Sequence, residues 1–224
     1  MSTGVSVVVD GTTGVGKSSL VQILAEEFNL ISYNEIFRDD HNLLGRFFSE
    51  GSRWCFPMQV SFLNNRYLQY TEASYLENTI MDRSIYSDPI FAKMYLNDGN
   101  MSLEEHSVYK SLYDSLVSSL NSPKLIIFLD VTSDEAIRRI KARGREDELL
   151  MPDEYWINLH EAYCTYYRNY KASPLLRIDV TDLDFVNREI DRQSVLKIVS
   201  NALCFPAQEA PSGSYPHPNN GKQF

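Results

Sequence analysis

The sequence predicts an α/β fold in which helices cover both faces of a five-stranded parallel sheet. Short apolar runs alternate with longer helical segments along the 224 residues, and that alternation is typical of parallel strands joined by crossover helices. The run 125–129 is apolar at every position, as expected of a strand that is covered on both faces. The predicted strands are 5–9, 30–33, 80–82, 125–129 and 176–180.

Local signals place several of the helices. Pro57 suits a first helical position and opens a segment that runs to about residue 77. Ser102 and Glu105 fit a capping box ahead of a broad apolar face, which we interpret as core that can extend into a subunit interface. Pro152 precedes another helix, and we expect its stripe to serve packing rather than ligand binding: Tyr155, Leu159, Tyr163, Tyr166 and Tyr170.

Composition and charge exclude several classes of protein. A net charge of −9 disfavours binding to a nucleic acid polymer. No apolar run approaches the roughly 20 residues that span a bilayer, and the N-terminus lacks the features of a secretory signal, so we expect no membrane partner. The three cysteines and four histidines are scattered, which favours reduced thiols in the cytoplasm and argues against a zinc site.

Composition changes near the C-terminus. The last 19 residues contain four prolines and two glycines but little that could form a core. The sequence therefore predicts one domain over residues 1–205 and a disordered tail over residues 206–224.

The most specific motif is the phosphate-binding loop at residues 11–18, Gly-Thr-Thr-Gly-Val-Gly-Lys-Ser. It follows the first predicted strand and leads into a helix, so backbone N–H groups and the helix N-terminus can bind phosphate oxygens. Lys17 would contact the outer phosphates and Ser18 would coordinate Mg²⁺. The predicted triphosphate-binding residues here are Gly11, Thr12, Thr13, Gly14, Val15, Gly16, Lys17, Ser18 and Ser19.

Charged residues after the third and fourth strands carry the next predictions. Asp82 ends the third strand, where such loops hold Mg²⁺, and Arg83 could contact the transferring phosphoryl group. Five basic residues lie within 138–145. We interpret them as a mobile lid over the triphosphate, with a solvated helix face as the alternative.

Three polar residues are weaker candidates on their own. Glu35 follows the second strand, where a carboxylate could accept a hydroxyl proton, although an isolated glutamate in a loop is usually a surface residue. Gln59 and Arg66 are seven residues apart and share a helix face. They are equally compatible with recognition of a base and with a surface pair.

Together these motifs resemble the deoxynucleoside kinase family, most of all its bacterial deoxyadenosine/deoxyguanosine kinase branch. The resemblance covers residues 5–199 and rests on G-T-T-G-V-G-K-S-S, F-P-M-Q-V-S-F-L-N-N-R, D-R-S-I-Y-S-D-P-I-F, R-I-K-A-R-G-R-E-D-E-L and the late L-D-F…D-R-Q. It implies a P-loop kinase fold with an arginine-rich lid, ATP as donor, Mg²⁺ and a homodimer.

The resemblance also implies roles for individual residues. Glu35 resembles the general base that accepts the proton of the sugar 5′-hydroxyl. Phe48 stands where many relatives carry a tyrosine that contacts the sugar 3′-hydroxyl. The remaining positions are Arg83 at the 5′-oxygen, Gln59, Arg66 and Asp88 at the base, Glu148 at the 3′-hydroxyl, and Arg139, Arg143 and Arg145 in the lid.

The sequence therefore predicts ATP-dependent phosphorylation of a deoxynucleoside 5′-hydroxyl in nucleotide salvage, with a purine, above all deoxyadenosine, as substrate. One alternative is a nucleoside monophosphate kinase of the thymidylate kinase type, in which Arg38 or Arg53 would help to bind the acceptor phosphate. A second alternative, from another class, is a nucleotide-binding regulatory ATPase or switch. The [NT]-K-x-D motif that usually accompanies guanine specificity is absent.

Overall fold

Five parallel strands form one sheet in the order β2-β3-β1-β4-β5. The computed structural model describes residues 4–34 and 39–204. The predicted α/β class and the five strands are confirmed, and their ends differ from prediction by at most two residues. The strands are Val7–Asp10 (β1), Ile31–Tyr33 (β2), Thr79–Asp82 (β3), Leu125–Asp130 (β4) and Leu175–Asp179 (β5).

Helices connect the strands, and short 3-10 turns at Ser52–Trp54 and Ile85–Ser87 precede two of them. The helices are Lys17–Phe28 (α1), Leu43–Glu50 (α2), Cys55–Ser74 (α3), Asp88–Asn97 (α4), Leu103–Val117 (α5), Ser133–Arg143 (α6), Glu146–Leu149 (α7), Asp153–Arg168 (α8) and Glu189–Cys204 (α9). Among the described residues, no helix is both long and apolar enough to cross a membrane.

Alternating side chains of the strands supply a separate core on each face of the sheet. Val8 and Phe128 pack with residues of α3, α4, α5 and α8 on one face. Val7 and Leu129 pack with residues of α1 and α9 on the other. Because successive side chains of a strand point to opposite faces, a run that is apolar throughout satisfies both cores.

The predicted helix signals hold, with one shift at the start of α3. Ser102 accepts from the Glu105 backbone N–H (3.1 Å) while the Glu105 carboxylate accepts from the Ser102 N–H (2.9 Å), so the capping box is present. Helix α3 begins two residues before Pro57. Proline is tolerated there because the first-turn N–H groups have no intrahelical acceptor. The boundary at residue 205 and the tail over 206–224 lie outside the described residues and stay predictions.

Strand β1 lies at the point where the chain order reverses. It pairs with β3 on one side and with β4 on the other. The chain first places β2 and β3 on one side of β1 and then crosses to place β4 and β5 on the other side. In parallel sheets a crevice forms at that point, beyond the carboxyl ends of the strands. Asp10, which ends β1, and Asp82, which ends β3, both lie at this edge, since Val9 pairs with Asp82.

Candidate active site

The phosphate-binding loop requires glycine at positions 11 and 16. Their φ angles are +148° and +97°, values that side-chain-bearing residues rarely adopt. A Cβ on Gly11 would lie 2.6 Å from the Leu129 carbonyl oxygen, and a Cβ on Gly16 would lie 2.8 Å from Phe185 Cζ. The loop is therefore held between β4 on one side and the Phe185 ring on the other.

Lys17 is the first residue of α1 and is almost buried. Its Nζ donates to the carbonyl oxygen of Thr12 at 2.8 Å, so the ammonium lies over the loop. Within residues 4–34 and 39–204, no side chain caps the start of α1, and the first turn of α1 carries no acidic residue. The helix N-terminus thus presents amide donors and positive potential to an anion, as a triphosphate site requires.

Ser18 and Asp82 provide oxygen ligands beside the loop. The Ser18 hydroxyl donates to the Asp82 carboxylate, with 2.5 Å between Oγ and Oδ2. Asp82 is 2% exposed, and its Oδ1 accepts no hydrogen bond within the part of the chain that the structure describes. A hydroxyl and a carboxylate are hard oxygen donors of the kind that Mg²⁺ prefers, so this pair fits the predicted metal.

Arg83 follows Asp82 in an unusual backbone conformation. Its φ of +63° is left-handed, which is costly for a residue with a long side chain. The Arg83 N–H donates to the Val9 carbonyl at 3.0 Å, and its guanidinium lies over Phe91 (5.3 Å) and Tyr163 (5.7 Å). These contacts hold the strained residue against the cavity.

One cavity of about 520 Å³ connects the loop to the space between α2, α3, α4 and α8. Its volume suits a small-molecule ligand. The predicted residues that the structure brings together around it are Thr13, Gly14, Lys17, Ser18, Phe48, Gln59, Arg66, Asp82, Arg83, Asp88, Arg143, Arg145 and Glu148.

A buried polar group lines the end of this cavity that α3 and α4 form. Arg66 of α3 pairs with Asp88, the first residue of α4, with 2.6 Å between Nε and Oδ1. Their side chains are 13% and 7% exposed. Gln59 is also buried, so neither Gln59 nor Arg66 is a surface residue. The alternative of a surface pair is therefore wrong.

A second carboxylate lies on the wall formed by α6 and α7. Glu148 accepts from Arg143 Nη2 at 2.6 Å and lies 3.7 Å from Arg145 Nη1. Two arginines therefore converge on Glu148, and all three side chains line the cavity. Movement of this segment as a lid stays a prediction.

Arg139 does not line the cavity, unlike the other two predicted lid arginines. Its guanidinium donates to the Val180 carbonyl at 2.7 Å and, more weakly, to Val15 O at 3.5 Å, and it pairs with Glu135 at 2.7 Å. Hydrogen bonds from Arg138 and then from Arg139 lower the pKa of Glu135 to about 2. Because carbonyl oxygens and a carboxylate occupy its donors, any role of Arg139 at the triphosphate stays a prediction.

Two predicted residues, Glu35 and Arg38, lie outside the described residues. Asn34, just before Glu35, lines the cavity, and its carbonyl accepts from the Gln69 amide at 2.7 Å. The role of Glu35 as general base stays a prediction. Arg53 is exposed, lies over the Trp54 ring at 4.9 Å and does not line the cavity.

Sequence reasoning missed an aromatic wall. Tyr155, which we expected to serve packing, lines the cavity beside Trp156, whereas Leu159 and Tyr163 are at most 1% exposed and belong to the core. The hydroxyls of Tyr95 and Tyr155 lie 3.4 Å apart, and burial raises the pKa of both. Helical periodicity reports which residues share a face but not whether that face meets a core or a cavity, so no local signal separated these roles.

Comparison with known proteins identifies the family. The family model for deoxynucleoside kinases matches residues 7–204. The chain belongs to the deoxynucleoside kinase family.

Curated relatives of this kinase cover most of its length. It is 35% identical to a deoxyguanosine kinase of Lactobacillus johnsonii, over 85% of this chain and 88% of the relative. It is 33% identical to a deoxyadenosine/deoxycytidine kinase of Bacillus subtilis, over 88% and 92%. A solved deoxyadenosine kinase from M. mycoides is 28% identical and superposes with a TM-score of 0.75, over 88% of this chain and 99% of that one. The P-loop kinase fold and the enzyme class predicted from the sequence are confirmed.

Proposed function

We propose that this kinase transfers the γ-phosphoryl group of ATP to the 5′-hydroxyl of a deoxynucleoside in nucleotide salvage. One observation carries the proposal: a single cavity joins Lys17 and Ser18 of the phosphate loop to the polar end at Gln59. Donor and acceptor bound at its two ends would meet near Arg83. Phosphoryl transfer is catalysed mostly by such positioning, together with neutralisation of charge.

The charge of the acceptor end favours a nucleoside over a nucleoside monophosphate. Arg66 pairs with Asp88 and Arg143 pairs with Glu148, so carboxylates balance these arginines. A monophosphate acceptor would need cationic side chains to balance its own charge. Paired charges with the buried Gln59 amide suit a neutral ligand that is recognised by hydrogen bonds.

A purine base, with deoxyadenosine preferred, is the substrate that we propose. A carboxamide such as that of Gln59 can donate to and accept from one base edge, and a bidentate contact of this kind suits adenine. The relatives are named as a deoxyguanosine kinase and a deoxyadenosine/deoxycytidine kinase, so both names include a purine nucleoside and one also includes a pyrimidine. The M. mycoides enzyme has been solved with bound dATP and with bound dCTP.

Each charged group beside the loop has a proposed part in the reaction. Ser18 and Asp82 would hold Mg²⁺, which supplies charge neutralisation at the phosphates when bound. Lys17 and Arg83 would stabilise negative charge on the transferring group, because they are fixed before the reaction begins. Glu35 would accept the proton of the attacking 5′-hydroxyl.

We also propose that the kinase is a cytoplasmic homodimer. Leu68 on α3 and Val108 and Leu112 on α5 are apolar and exposed in the single chain, and α3 and α5 pack beside each other. Burying such a surface against a second copy is favourable. The isolated spacing of the three cysteines favours a reducing compartment.

A phosphate-transfer assay with radiolabelled ATP tests the proposed reaction. The acceptors are the four deoxynucleosides and deoxyadenosine monophosphate, each in the presence of Mg²⁺. We expect transfer to deoxyadenosine to be the most efficient and transfer to the monophosphate to be negligible. Preferential labelling of the monophosphate, or ATP hydrolysis that no nucleoside stimulates, would contradict the proposal.

Glu35→Gln tests the proposed base. The amide cannot accept the proton, so we expect kcat to fall by about 100-fold while the affinity for ATP stays unchanged, since general-base catalysis contributes about 10²–10⁴-fold. A variant that retains wild-type kcat would remove Glu35 from this role.

A further inference from the structure

We propose that Asp10 is a positioning residue for the phosphate loop, and that it acts by tying the first amide of the loop to Tyr167 of α8. This inference rests on the proposed function, because it concerns the triphosphate site. It goes beyond that function in assigning a role to two residues that do not line the cavity.

The Asp10 carboxylate is fully buried directly before the loop. Its Oδ1 accepts from the Gly11 N–H at 2.8 Å, and its Oδ2 accepts from the Tyr167 hydroxyl at 2.7 Å. Asp10 is 0% exposed and Tyr167 is 2% exposed. Both oxygens are therefore satisfied, as a buried carboxylate requires.

The Tyr167 hydroxyl has little freedom to move. Its ring stacks on Phe128, with 4.5 Å between centroids and 24° between planes. Phe128 is in turn the β4 partner of Asp10 in the sheet register. The Asp10 carboxylate, the Tyr167 hydroxyl and the Phe128 ring thus link β1, α8 and β4 through direct contacts.

Stability alone does not explain a carboxylate at this position. Removing a carboxylate from water is costly, and apolar residues that replace buried polar groups are often neutral or stabilising. The position also lies beside a site for an anion, where a negative charge repels the ligand. A requirement for loop geometry does explain it, because the carboxylate fixes the direction of the Gly11 N–H.

Gly11 is the position where that direction matters. Its φ of +148° lies in a region that glycine enters freely, so the backbone there is held mainly by its contacts. If the Gly11 amide were released, the following amides of the loop would lose their common orientation toward phosphate. The affinity for phosphate would then fall even though no phosphate ligand has been removed.

Helix α8 extends this link to the acceptor end. Tyr155 and Trp156, near its start, line the cavity, and Tyr167 lies near its end. Because a helix moves as a unit over such a length, the Asp10–Tyr167 hydrogen bond fixes the position of the loop relative to the acceptor wall.

Three variants test the inference in the full-length protein. Tyr167→Phe retains the stacked ring but removes the donor, and we expect the Kd for ADP with Mg²⁺ to rise about tenfold, equivalent to about 1.4 kcal/mol. Asp10→Ala removes both contacts and should weaken binding at least as much. In Asp10→Asn the side-chain oxygen can still accept from Gly11 while the amide donates to Tyr167, so binding should be largely rescued.

Tyr170→Phe is the matched control. Its hydroxyl lies 2.9 Å from the Ser173 hydroxyl, and its ring lies 5.5 Å from that of Tyr167 in the same cluster. We expect this variant to lower Tm without changing the Kd for ADP. If Tyr167→Phe also lowered only Tm, the hydrogen bond would be part of the core alone and the inference would be overturned.

Calorimetric titration with ADP and a thermal melt separate this inference from the proposed function. ADP binding needs no acceptor, so it reports on the loop even if no deoxynucleoside is phosphorylated. A selective rise in the Kd for ADP supports the inference. A rise in the Kd for ADP that comes with a loss of helical circular dichroism would overturn it, because it would indicate a general loss of structure. If Asp10→Ala does not fold, the Kd values for ADP of Tyr167→Phe and Asp10→Asn test the inference without it.

Discussion

Replacing Asp88 by leucine removes the carboxylate that pairs with Arg66 at the acceptor end of the cavity. The two side chains are 7% and 13% exposed, and 2.6 Å separates the bonded atoms. At this burial the small energies of surface ion pairs do not apply. The variant leaves the Arg66 guanidinium without its carboxylate in a largely desolvated position.

The burial of the pair sets the size of the expected loss. Removing one partner of a buried pair costs about 3–5 kcal/mol, and we expect the lower end because the cavity admits water. For a domain of this size each kcal/mol shifts Tm by about 2–4 °C, so Asp88→Leu should lower Tm by about 6–12 °C. We also expect kcat/KM for the preferred deoxynucleoside to fall by about 100-fold, or about 2.7 kcal/mol, with KM for ATP unchanged.

The double variant Arg66→Met/Asp88→Leu separates stability from recognition. Replacing both members of a buried pair by apolar residues is often neutral or stabilising, so Tm should recover most of the loss. Activity should not recover, because the groups proposed to recognise the base are gone. Asp114→Leu is the surface control, since the Lys110–Asp114 pair is 64% and 55% exposed and should contribute at most about 0.5 kcal/mol.

Thermal melts and steady-state kinetics on the wild type, on Asp88→Leu, Arg66→Met and the double variant, and on the surface control Asp114→Leu provide the measurements. The double-mutant cycle gives the coupling between the two residues directly. A double variant no more stable than the weaker single variant would refute the assignment of a buried, coupled pair. Wild-type kcat/KM in Asp88→Leu would refute its role in recognition of the acceptor.

Two further predictions concern the metal and the sugar. Asp82→Asn weakens the proposed Mg²⁺ site that it forms with Ser18, so kcat should fall by about 100-fold and the Mg²⁺ concentration for half-maximal rate should rise; an unchanged Mg²⁺ requirement would contradict this site. Phe48→Tyr adds a hydroxyl at the cavity, and we expect KM for deoxyadenosine to fall about threefold while KM for 2′,3′-dideoxyadenosine stays constant, since one neutral hydrogen bond contributes about 0.5–1.5 kcal/mol. Equal changes for both nucleosides would exclude a contact with the 3′-hydroxyl.

The fold could be predicted closely because its signals are local. Strands β1 and β4 were recognisable as apolar runs, the other three were weaker segments placed by their alternation with helices, and the glycine spacing of the loop is imposed by its backbone conformation. The capping box at Ser102 likewise depends only on residues within one turn. Patterns of this kind depend only on residues that are close together in the sequence, so they can be recognised without the structure.

The acceptor half of the site could be predicted only in part. Gln59 and Arg66 were placed on one helix face, but the sequence by itself left open whether that face met solvent or a cavity. The partner Asp88 came from family resemblance, and the pairing itself depends on how α3 packs against α4. Such contacts join residues that are far apart in the chain, so no local sequence pattern predicts them.

The amino-acid sequence by itself determined that this chain has a parallel α/β sheet and a phosphate-binding loop, because glycine spacing and strand hydrophobicity are local requirements. Only the tertiary structure decided that Tyr155 lines the cavity, that Arg139 bonds to backbone carbonyls and that Asp10 contacts Tyr167. Asp10 and Tyr167 are 157 positions apart in the sequence. Packing of α8 on the sheet brings them together, because the Tyr167 ring stacks on Phe128 of β4 and its hydroxyl then reaches Asp10 at the end of β1.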